Sequence, residues 1–333
     1  MTKTIVIAGK STLAWSIAKL LDKTLAHLVH YEVIYITPDE DLIYPGDLDS
    51  ILSFRKQVPI SSTLSHIYPL REEVKSINTK EGRLITNKNQ FDYDALLVDF
   101  APTLTSSDLK LAKATLHDVI SNANNTVRLG KKDRYLVYCP GQSVWSWQLA
   151  LAILNDCRLV LKDNARSYVQ VLVDKPTLDS KLAAFLIKNG LKMDKKLIHM
   201  SEHVVTMPEP SPIIKPTEVK NMKLDKRNQP MTDAYGRPQH VENMIVVAND
   251  RNYNNLIYRD QILSQRACVN LVNNLEVTKD YLSIANFDPS FLLIGPISSY
   301  YYFANKEGDG MFANVVRLSD RMFWNKASKP PTS

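Results

Sequence analysis

Cysteine is scarce in this chain, and the scarcity argues against several kinds of site. The three cysteines, Cys139, Cys157 and Cys268, lie far apart in the sequence. They form no C-x-x-C pair, offer no ligand spacing for a metal and build no disulfide framework. The seven histidines are spread along the chain. We therefore expect neither a metal site nor a redox-active cysteine pair.

Long apolar runs are also missing. No stretch approaches the ~20 apolar residues that cross a membrane as a helix, and the first residues lack the apolar segment of a secretion signal. These features lead us to expect a cytoplasmic protein. Hydrophobic residues make up 44% of the 333 residues and charged residues 23%, which is typical of a globular chain with room for two domains.

The charge is positive, but its distribution argues against nucleic acid as a partner. The formal net charge is +6, from 41 basic and 35 acidic residues. The basic residues are distributed along the chain without a long run, whereas a nucleic-acid groove needs them clustered. We expect a solvated surface and no nucleic-acid partner.

Glycine is the most unusual shortage. There are 10 glycines among 333 residues, about 3% against the roughly 7% typical of proteins. Loops that hold the phosphates of two dinucleotides normally need more glycine than this. The composition therefore counts against a full set of such loops.

The start of the chain nevertheless has the order strand, glycine turn, helix, strand. The apolar strand Lys3–Ala8 is followed by apolar residues at helical spacing over residues 11–23. Residues 32–36 then form a second strand rich in β-branched side chains. This order is typical of a right-handed parallel crossover.

A second unit of the same kind begins near residue 134. Its pattern predicts a strand at 134–138, a helix at 146–155 and strands at 158–161 and 168–173. The repeated unit predicts an α/β fold with two Rossmann-like domains, of the type that binds FAD and NAD(P), and a short C-terminal region.

Later segments complete the expected outline. Residues 244–248 resemble a strand, and residues 258–274 a helix with Ile262 and Val269 among its inward-facing residues. Residues 311–324 are amphipathic.

The first turn keeps only part of a dinucleotide-binding pattern. In G-x-G-x-x-G the first glycine makes the tight turn, the second lets the backbone approach the pyrophosphate, and the third allows close helix packing. Here the three places hold Gly9, Ser11 and Ala14. The acidic residue expected at the end of the second strand falls near Thr37, with Asp39 two residues late.

The second turn is changed in the same way. Its three glycine places hold Gly141, Ser143 and Ser146. The acidic residue of this unit is expected near Lys162 or Asp163. A serine at the second place is the more serious change, because its Cβ lies where the pyrophosphate would approach.

The order of these segments resembles one known family, the FAD-dependent pyridine-nucleotide oxidoreductases. The similarity is strongest to type II NADH dehydrogenases and apoptosis-inducing-factor-like proteins. After the turn at Gly9, residues 91–98 (FDYDALLV) resemble the family's YD-x-L-V-I-A-T-G strand. After the turn at Gly141, residues 241–250 (VENMIVVAND) resemble its x-x-N-I-F-A-x-G-D strand. The resemblance covers nearly the whole chain.

Each of these motifs departs from the family pattern. The A-T-G end of the first strand is replaced by Asp99, Phe100 and Ala101, and the G-D pair by Asn249 and Asp250. The active cysteine pair of the disulfide-reductase branch is absent from the sequence. The chain is therefore identified as a degenerate member of the family.

The resemblance implies domain bounds and cofactor positions. It implies a discontinuous FAD-binding-type domain at 1–115 and 240–290, an NAD(P)H-binding-type domain at 116–239 and a C-terminal segment at 291–333. If FAD and NAD(P)H are bound, it implies that FAD is lined by Gly9, Ser11, Ala14, Thr37 and Asp250, and the nicotinamide nucleotide by Gly141, Ser143 and Ser146.

Two hypotheses about function follow. In the first, cofactor binding is weakened or lost, and the protein is a pseudoenzyme with a binding or scaffold role in a homodimer or a larger complex. In the second, it is a working flavoprotein that passes electrons from NAD(P)H through FAD to a quinone or similar acceptor. The C-terminal segment is a candidate for peripheral contact with a membrane or for dimerisation. The glycine losses at both turns favour the first hypothesis.

Overall fold

The computed structural model describes residues 2–26, 28–44, 51–52, 57–176, 180–248, 256–276, 281–284, 291–303, 306–309 and 311–331. In chain order the strands are β1 Lys3–Ala8, β2 Tyr31–Thr37, β3 Asp41–Ile43, β4 Gln57–Pro59, β5 Pro69–Arg71, β6 Val74–Asn78, β7 Arg83–Thr86, β8 Gln90–Asp92, β9 Ala95–Asp99, β10 Tyr135–Cys139, β11 Val169–Val173, β12 His203–Thr206, β13 Val219–Lys220, β14 Met244–Ala248, β15 Phe291–Ile294, β16 Ser299–Phe303 and β17 Lys306–Asp309. The α-helices are α1 Thr12–Thr24, α2 Ser106–Arg128, α3 Val144–Val160, α4 Asp163–Arg166, α5 Ser180–Asn189, α6 Lys196–Met200, α7 Ile257–Glu276 and α8 Met311–Ala327.

The first unit is a parallel sheet with the strand order β14-β9-β1-β2-β5. Its central strand β1 alternates its side chains between two cores, as a pleated strand must. Ile5 and Ile7 contribute to a core with α1 and α7. Val6 and Ala8 contribute to a second core, which the strands β6 and β7 cover.

The second unit is a smaller parallel sheet with the order β11-β10-β12. The helix α3 packs against it and is almost entirely buried, from Val144 to Leu154. Two parallel units with covering helices confirm the predicted α/β fold with two Rossmann-like units. The predicted domain bounds remain a prediction.

The strand predicted at residues 158–161 is wrong. The helix α3 continues to Val160, and Leu161 still donates from its backbone N to the Cys157 carbonyl over 3.0 Å. The segment looked like a strand because it is apolar, but Leu159 and Val160 are exposed on the helix surface. The strand that follows the helix is β11.

The face predicted for α7 is also wrong in part. Ile262 and Val269 are 39% and 40% exposed, whereas Leu263, Ala267 and Leu271 are buried. The helix turns these last residues towards α1 and the sheet. Apolar residues alone do not identify the buried face of α7, because Ile262 and Val269 lie on its solvent side.

The C-terminal segment contacts both units. Phe291 and Leu293 of β15 lie in the core of the second unit, and Gln148 of α3 pairs with both backbone groups of Ile294, at 2.8 and 3.1 Å. The helix α8, by contrast, places Trp324 in the core of the first unit. The segment therefore links the two units.

Among the residues that the structure describes, no helix is long and apolar enough to span a membrane.

Candidate functional site

The first glycine turn lies between β1 and α1 and is tightly packed. A Cβ on Gly9 would overlap the Cβ of Ala14 and would lie 2.9 Å from the Cβ of Asp99. Close packing of the turn on the helix and on the next strand therefore requires glycine here. Ala14 fills the place that the sequence pattern assigned to the third glycine.

Ser11 caps the helix that follows this turn. Its Oγ accepts hydrogen bonds from the backbone N of Leu13 at 3.1 Å and of Ala14 at 3.3 Å. The same hydroxyl donates to Oδ2 of Asp99. The side chain at the second glycine place thus supplies a hydrogen-bond acceptor to the free backbone N–H groups at the start of α1.

Asp99 puts a buried carboxylate beside the start of α1. The residue is 1% exposed, and its Oδ1 accepts from the backbone N of Ala101 at 2.9 Å. Burial raises the pKa of Asp99, and hydrogen bonds from Ser11 and Ala101 oppose that rise. A helix N-terminus is a place where anions bind, and here the carboxyl group of Asp99 lies beside it.

Two further charged groups occupy the same cleft. Asp39, which is 7% exposed, accepts from the backbone N of Ser106 at 3.2 Å, and burial raises its pKa to about 6. Lys10 donates to Oγ of Ser211 at 3.2 Å. Burial lowers the pKa of Lys10, against the attraction of Asp39 and other acidic groups.

Thr37 is the last residue of β2 and is fully buried. It therefore lies at the strand end, where the sequence placed the ribose-binding position, and its Oγ1 accepts from the backbone N of Asp39 at 3.4 Å. Asp250 lies outside the described residues. Whether these residues hold a cofactor stays a prediction.

The second glycine turn lies between β10 and α3. Gly141 has a φ of +92°, a conformation that favours glycine. Ser143 caps α3 by accepting from the backbone N of Ser146 at 3.1 Å. The Ser146 hydroxyl donates back to the carbonyl of Pro140 at 2.7 Å. Both serines thus brace the turn.

The acidic residue of the second unit is Asp174, which sequence reasoning missed. Asp174 directly follows β11, whereas Lys162 and Asp163 lie at the start of the short helix α4, so the prediction at those two residues is wrong. The signal was available, because the strand at 168–173 was recognised and an aspartate follows it. The apolar end of α3 resembles a strand and lies closer to the second turn than β11 does.

Three donors already surround the Asp174 carboxylate. It accepts from the hydroxyl of Tyr138 at 2.9 Å and the backbone N of Gly141 at 3.1 Å, and it pairs with Lys195 at 2.7 Å. Burial alone would raise the pKa of Asp174, but these hydrogen bonds outweigh burial and hold it below its usual value. The second turn thus has one glycine of the pattern, Gly141, and an acidic residue at the end of the next strand, which is the arrangement of a dinucleotide-binding unit.

FAD fits the first cleft poorly. Its pyrophosphate would meet the start of α1, where Ser11 and Asp99 are already hydrogen-bonded to each other. The pyrophosphate would also bring negative charge next to a buried carboxylate. The second cleft differs in that Asp174 lies at the end of its strand, although this carboxylate is also engaged within the protein, by Tyr138, Gly141 and Lys195.

A surface of α8 is exposed and apolar. We call it the α8 stripe, and its members are Phe312, Val315, Leu318, Met322 and Phe323, which are 42–73% exposed. The first four are spaced by three or four residues, which places them along one side of a helix, and Phe323 lies next to Met322. The acidic residue of α8, Asp320, is buried and accepts from Tyr44 at 2.7 Å.

One group of metal-ligand type occurs among the described residues. Ligand atoms of Asp133, Glu202 and His203 lie within 4.8 Å of one another. Glu202 also accepts from the backbone N of Arg134 at 3.3 Å, and the His203 ring stacks on Tyr135. These partners account for the grouping without an ion, and the absence of a metal site stays a prediction.

Comparison with known proteins shows the fold. Neither a protein-family model nor the sequence of a curated protein matches this chain. Among solved structures, sulfide:quinone oxidoreductase from Aquifex aeolicus is 13% identical with a TM-score of 0.70, covering 98% of this chain and 92% of its own. NDH2 from Plasmodium falciparum, solved in complex with NADH, is 11% identical with a TM-score of 0.59, covering 98% of both chains.

A third similar structure belongs to a large assembly. A chain of the mitochondrial ATP synthase of Tetrahymena thermophila is 11% identical with a TM-score of 0.60, covering 99% of this chain and 98% of its own. The chain has the fold of the FAD- and NAD(P)-dependent oxidoreductases. The resemblance inferred from the sequence is thereby confirmed at the level of the fold.

Proposed function

We propose that this protein is a non-catalytic relative of the FAD- and NAD(P)H-dependent oxidoreductases, which does not hold FAD in its first cleft and acts as a binding or scaffold protein within a complex. The observation that carries the proposal is the buried Asp99 carboxylate at the start of α1. A carboxyl group that is covalently part of the protein thus takes the place of a bound anion.

The energy of displacing Asp99 supports this proposal. FAD binding would break the hydrogen bonds that Asp99 makes with Ser11 and Ala101. Hydrogen bonds to a charged group contribute about 1.5–3 kcal/mol each. Losing both would weaken FAD binding by about a hundredfold to ten-thousandfold.

The role within a complex is supported by a surface and by a structural neighbour. The α8 stripe is exposed, and the basic residues Arg317, Arg321 and Lys326 belong to the same helix. An apolar stripe flanked by positive charge suits a partner protein whose surface is apolar with an acidic rim. The similar chain in the Tetrahymena thermophila ATP synthase is part of a protein assembly.

A working oxidoreductase is the second candidate, and Asp174 favours it. An acidic side chain at the end of the second strand is what recognises the ribose hydroxyls of a nicotinamide nucleotide. In that case FAD, when bound, would supply the electron transfer from NAD(P)H to a quinone or similar acceptor. Saturable NADH binding that D174A weakens, together with NADH-dependent reduction of a quinone, would favour this candidate.

The proposal is tested by titrating FAD into the protein and its Asp99→Asn variant. The asparagine removes the negative charge and keeps an oxygen that accepts from Ala101. We expect no measurable FAD binding by the wild type, and an affinity at least about tenfold higher in D99N, where one hydrogen bond to a charged group is removed. Flavin fluorescence on titration measures both.

The matched control is Asp156→Asn. Asp156 is also a buried carboxylate, 2% exposed, and it accepts from backbone N atoms of Ile51 and Leu52 at 3.0 Å in another part of the molecule. We expect D156N to leave FAD affinity as in the wild type. Equal FAD affinity in the wild type and D99N contradicts the role given to Asp99.

A further inference from the structure

The outer surface of the first unit holds a cavity of about 500 Å³ between α1, α7, α8 and the chain that follows α8. Its volume is in the range of small-molecule sites. From α1 it is lined by Trp15, Ser16, Lys19, Leu20 and Lys23, and no residue of either glycine turn is among its lining residues. The cavity is therefore separate from both nucleotide turns.

The lining of this cavity is strongly basic. It includes Lys19, Lys23, Lys326 and Lys329, and no acidic residue is found among the described residues that line it. Burial and the neighbouring Lys23 lower the pKa of Lys19 to about 8. Asp22 of α1 partly offsets the charge of Lys19, and an anion between the lysines would relieve the repulsion that remains.

Lys19 gives the cavity a fixed wall. Its Nζ donates to the backbone carbonyls of Ala327 and Lys329 and lies 5.5 Å from the ring centroid of Trp15. The ammonium group thus holds the chain after α8 against α1. The rim lysines Lys23 and Lys326 are exposed side chains on two different helices.

The floor of the cavity has a hydroxyl without a partner. Ser16 lines the cavity and is 8% exposed, and its Oγ makes no hydrogen bond in the described structure. A buried polar atom of this kind is uncommon in proteins, because it loses its hydrogen bond to water. The Oγ is closed off from solvent, so the contribution of Ser16 to the lining comes from its other atoms.

Other walls of the cavity are apolar. Trp15, Leu20, Phe323, Pro330 and Pro331 contribute to its lining. A ligand that fits this mixture has a charged part and an apolar or planar part. Several lysines together suit an anion with more than one charge, and lysine binds phosphate as a point charge.

We propose that this cavity binds an organic anion of nucleotide size that carries more than one phosphate group. Both a soluble nucleotide and the head group of a phosphorylated lipid have this chemistry. The inference does not depend on whether FAD is bound in the first cleft, because the cavity is separate from that cleft.

The experiment is calorimetric titration of the full-length protein with ATP, beside a flotation assay with phosphatidylcholine vesicles that contain phosphatidylinositol bisphosphate. The double variant K23Q/K326Q removes two rim charges whose side chains make no hydrogen bond or ion pair in the described structure. We expect saturable binding to at least one probe, weakened about tenfold or more in this variant, since each lysine removes a charge-assisted contact.

The matched control is K110Q/K113Q, which removes two exposed lysines from α2, away from the cavity. We expect it to bind within about twofold of the wild type, because distant charges act independently. Binding of ATP alone identifies a soluble ligand, and binding of vesicles alone identifies a lipid head group. No saturable binding to either probe, or equal binding by K23Q/K326Q and the wild type, overturns the proposal.

Discussion

Asp99 and Ser11 determine what the first cleft can accept. Strands β1 and β9 pair in parallel with Ala8 opposite Val98, so the residue after β1 lies beside the last residue of β9. That register brings Gly9 and Ser11 next to the Asp99 carboxylate. The sequence shows Ser11 at a glycine place and Asp99 at the first place of the A-T-G end. It does not show the hydrogen bond between them, because that bond depends on the strand register.

The raised pKa of Asp39 predicts that the free energy of unfolding changes measurably with pH. Burial raises its folded-state pKa from the ordinary 3.8 to about 6, while the Ser106 hydrogen bond and Lys10 oppose the rise and Asp108 and Asp41 add to it. A raised carboxyl pKa means that the folded state binds the proton more tightly. The stability it contributes is therefore present below pH 3.8 and lost as the pH rises to about 6.

We expect Asp39→Asn to remove this pH dependence. Relative to D39N, the wild type should lose about 3 kcal/mol of unfolding free energy between pH 3.8 and pH 6, at 1.36 kcal/mol per pKa unit. Urea unfolding of both proteins across this range measures the difference. If the difference in unfolding free energy between the wild type and D39N is the same at pH 3.8 and at pH 6, the pKa of Asp39 is not raised.

Helices and strands differed in how well the sequence predicted them. The strand β1, the helix α1 and the strand β11 could be predicted, because their apolar patterns have a single period and end at glycine or at charged residues. The end of α3 could not, because exposed Leu159 and Val160 continue its apolar run. Because a strand is predicted at 158–161, the acidic residue is expected near Lys162 or Asp163 and not at Asp174.

The helix α8 is held by one buried aromatic side chain. Trp324 is 1% exposed, its ring stacks on Tyr44 with centroids 5.1 Å apart, and it lies 5.9 Å from the ring of Trp15. Removal of such a side chain leaves a cavity in the core of the first unit.

We therefore expect Trp324→Ala to lower the free energy of unfolding by about 3–5 kcal/mol. The matched control is Met322→Ala on the same helix, where the side chain is 73% exposed and the expected change is within about 0.5 kcal/mol. Denaturant unfolding measures both. Equal stability of the two variants would show that α8 is not docked through Trp324.

The C-terminal segment packs against both units of the molecule. Its strand β15 packs on the second unit and its helix α8 on the first. Gln148 is central to the first contact, because its side chain is 1% exposed and pairs with the N and the O of Ile294. No pattern in the sequence indicates this pairing, since the two residues are 146 positions apart.

We expect Gln148→Leu to loosen β15 selectively. Each of the two Ile294 backbone groups would be left without its partner, at a cost of about 1–3 kcal/mol per group. Hydrogen exchange should become faster at Ile294 and its neighbours in the β15–β16 hairpin. The control is Gln239→Leu at an exposed position, and exchange at Ile294 that is equal in both variants contradicts the expectation.

The two clefts differ at the scale of the whole molecule. In the first, the ionisable side chains of Asp99, Lys10 and Asp39 lie near the glycine turn. In the second, Asp174 remains at the end of its strand. Both turns thus have serines at glycine places and internal hydrogen bonds, and they differ in where the nearest acidic side chain lies.

The absorbance spectrum of the natively purified protein, followed by denaturation and analysis of released small molecules, tests the central claim most directly. Our account predicts a colourless protein that releases no flavin and does not take up added FAD. Absorbance bands near ~450 nm with FAD in stoichiometric amount would contradict it, and would place the working oxidoreductase ahead of the scaffold protein.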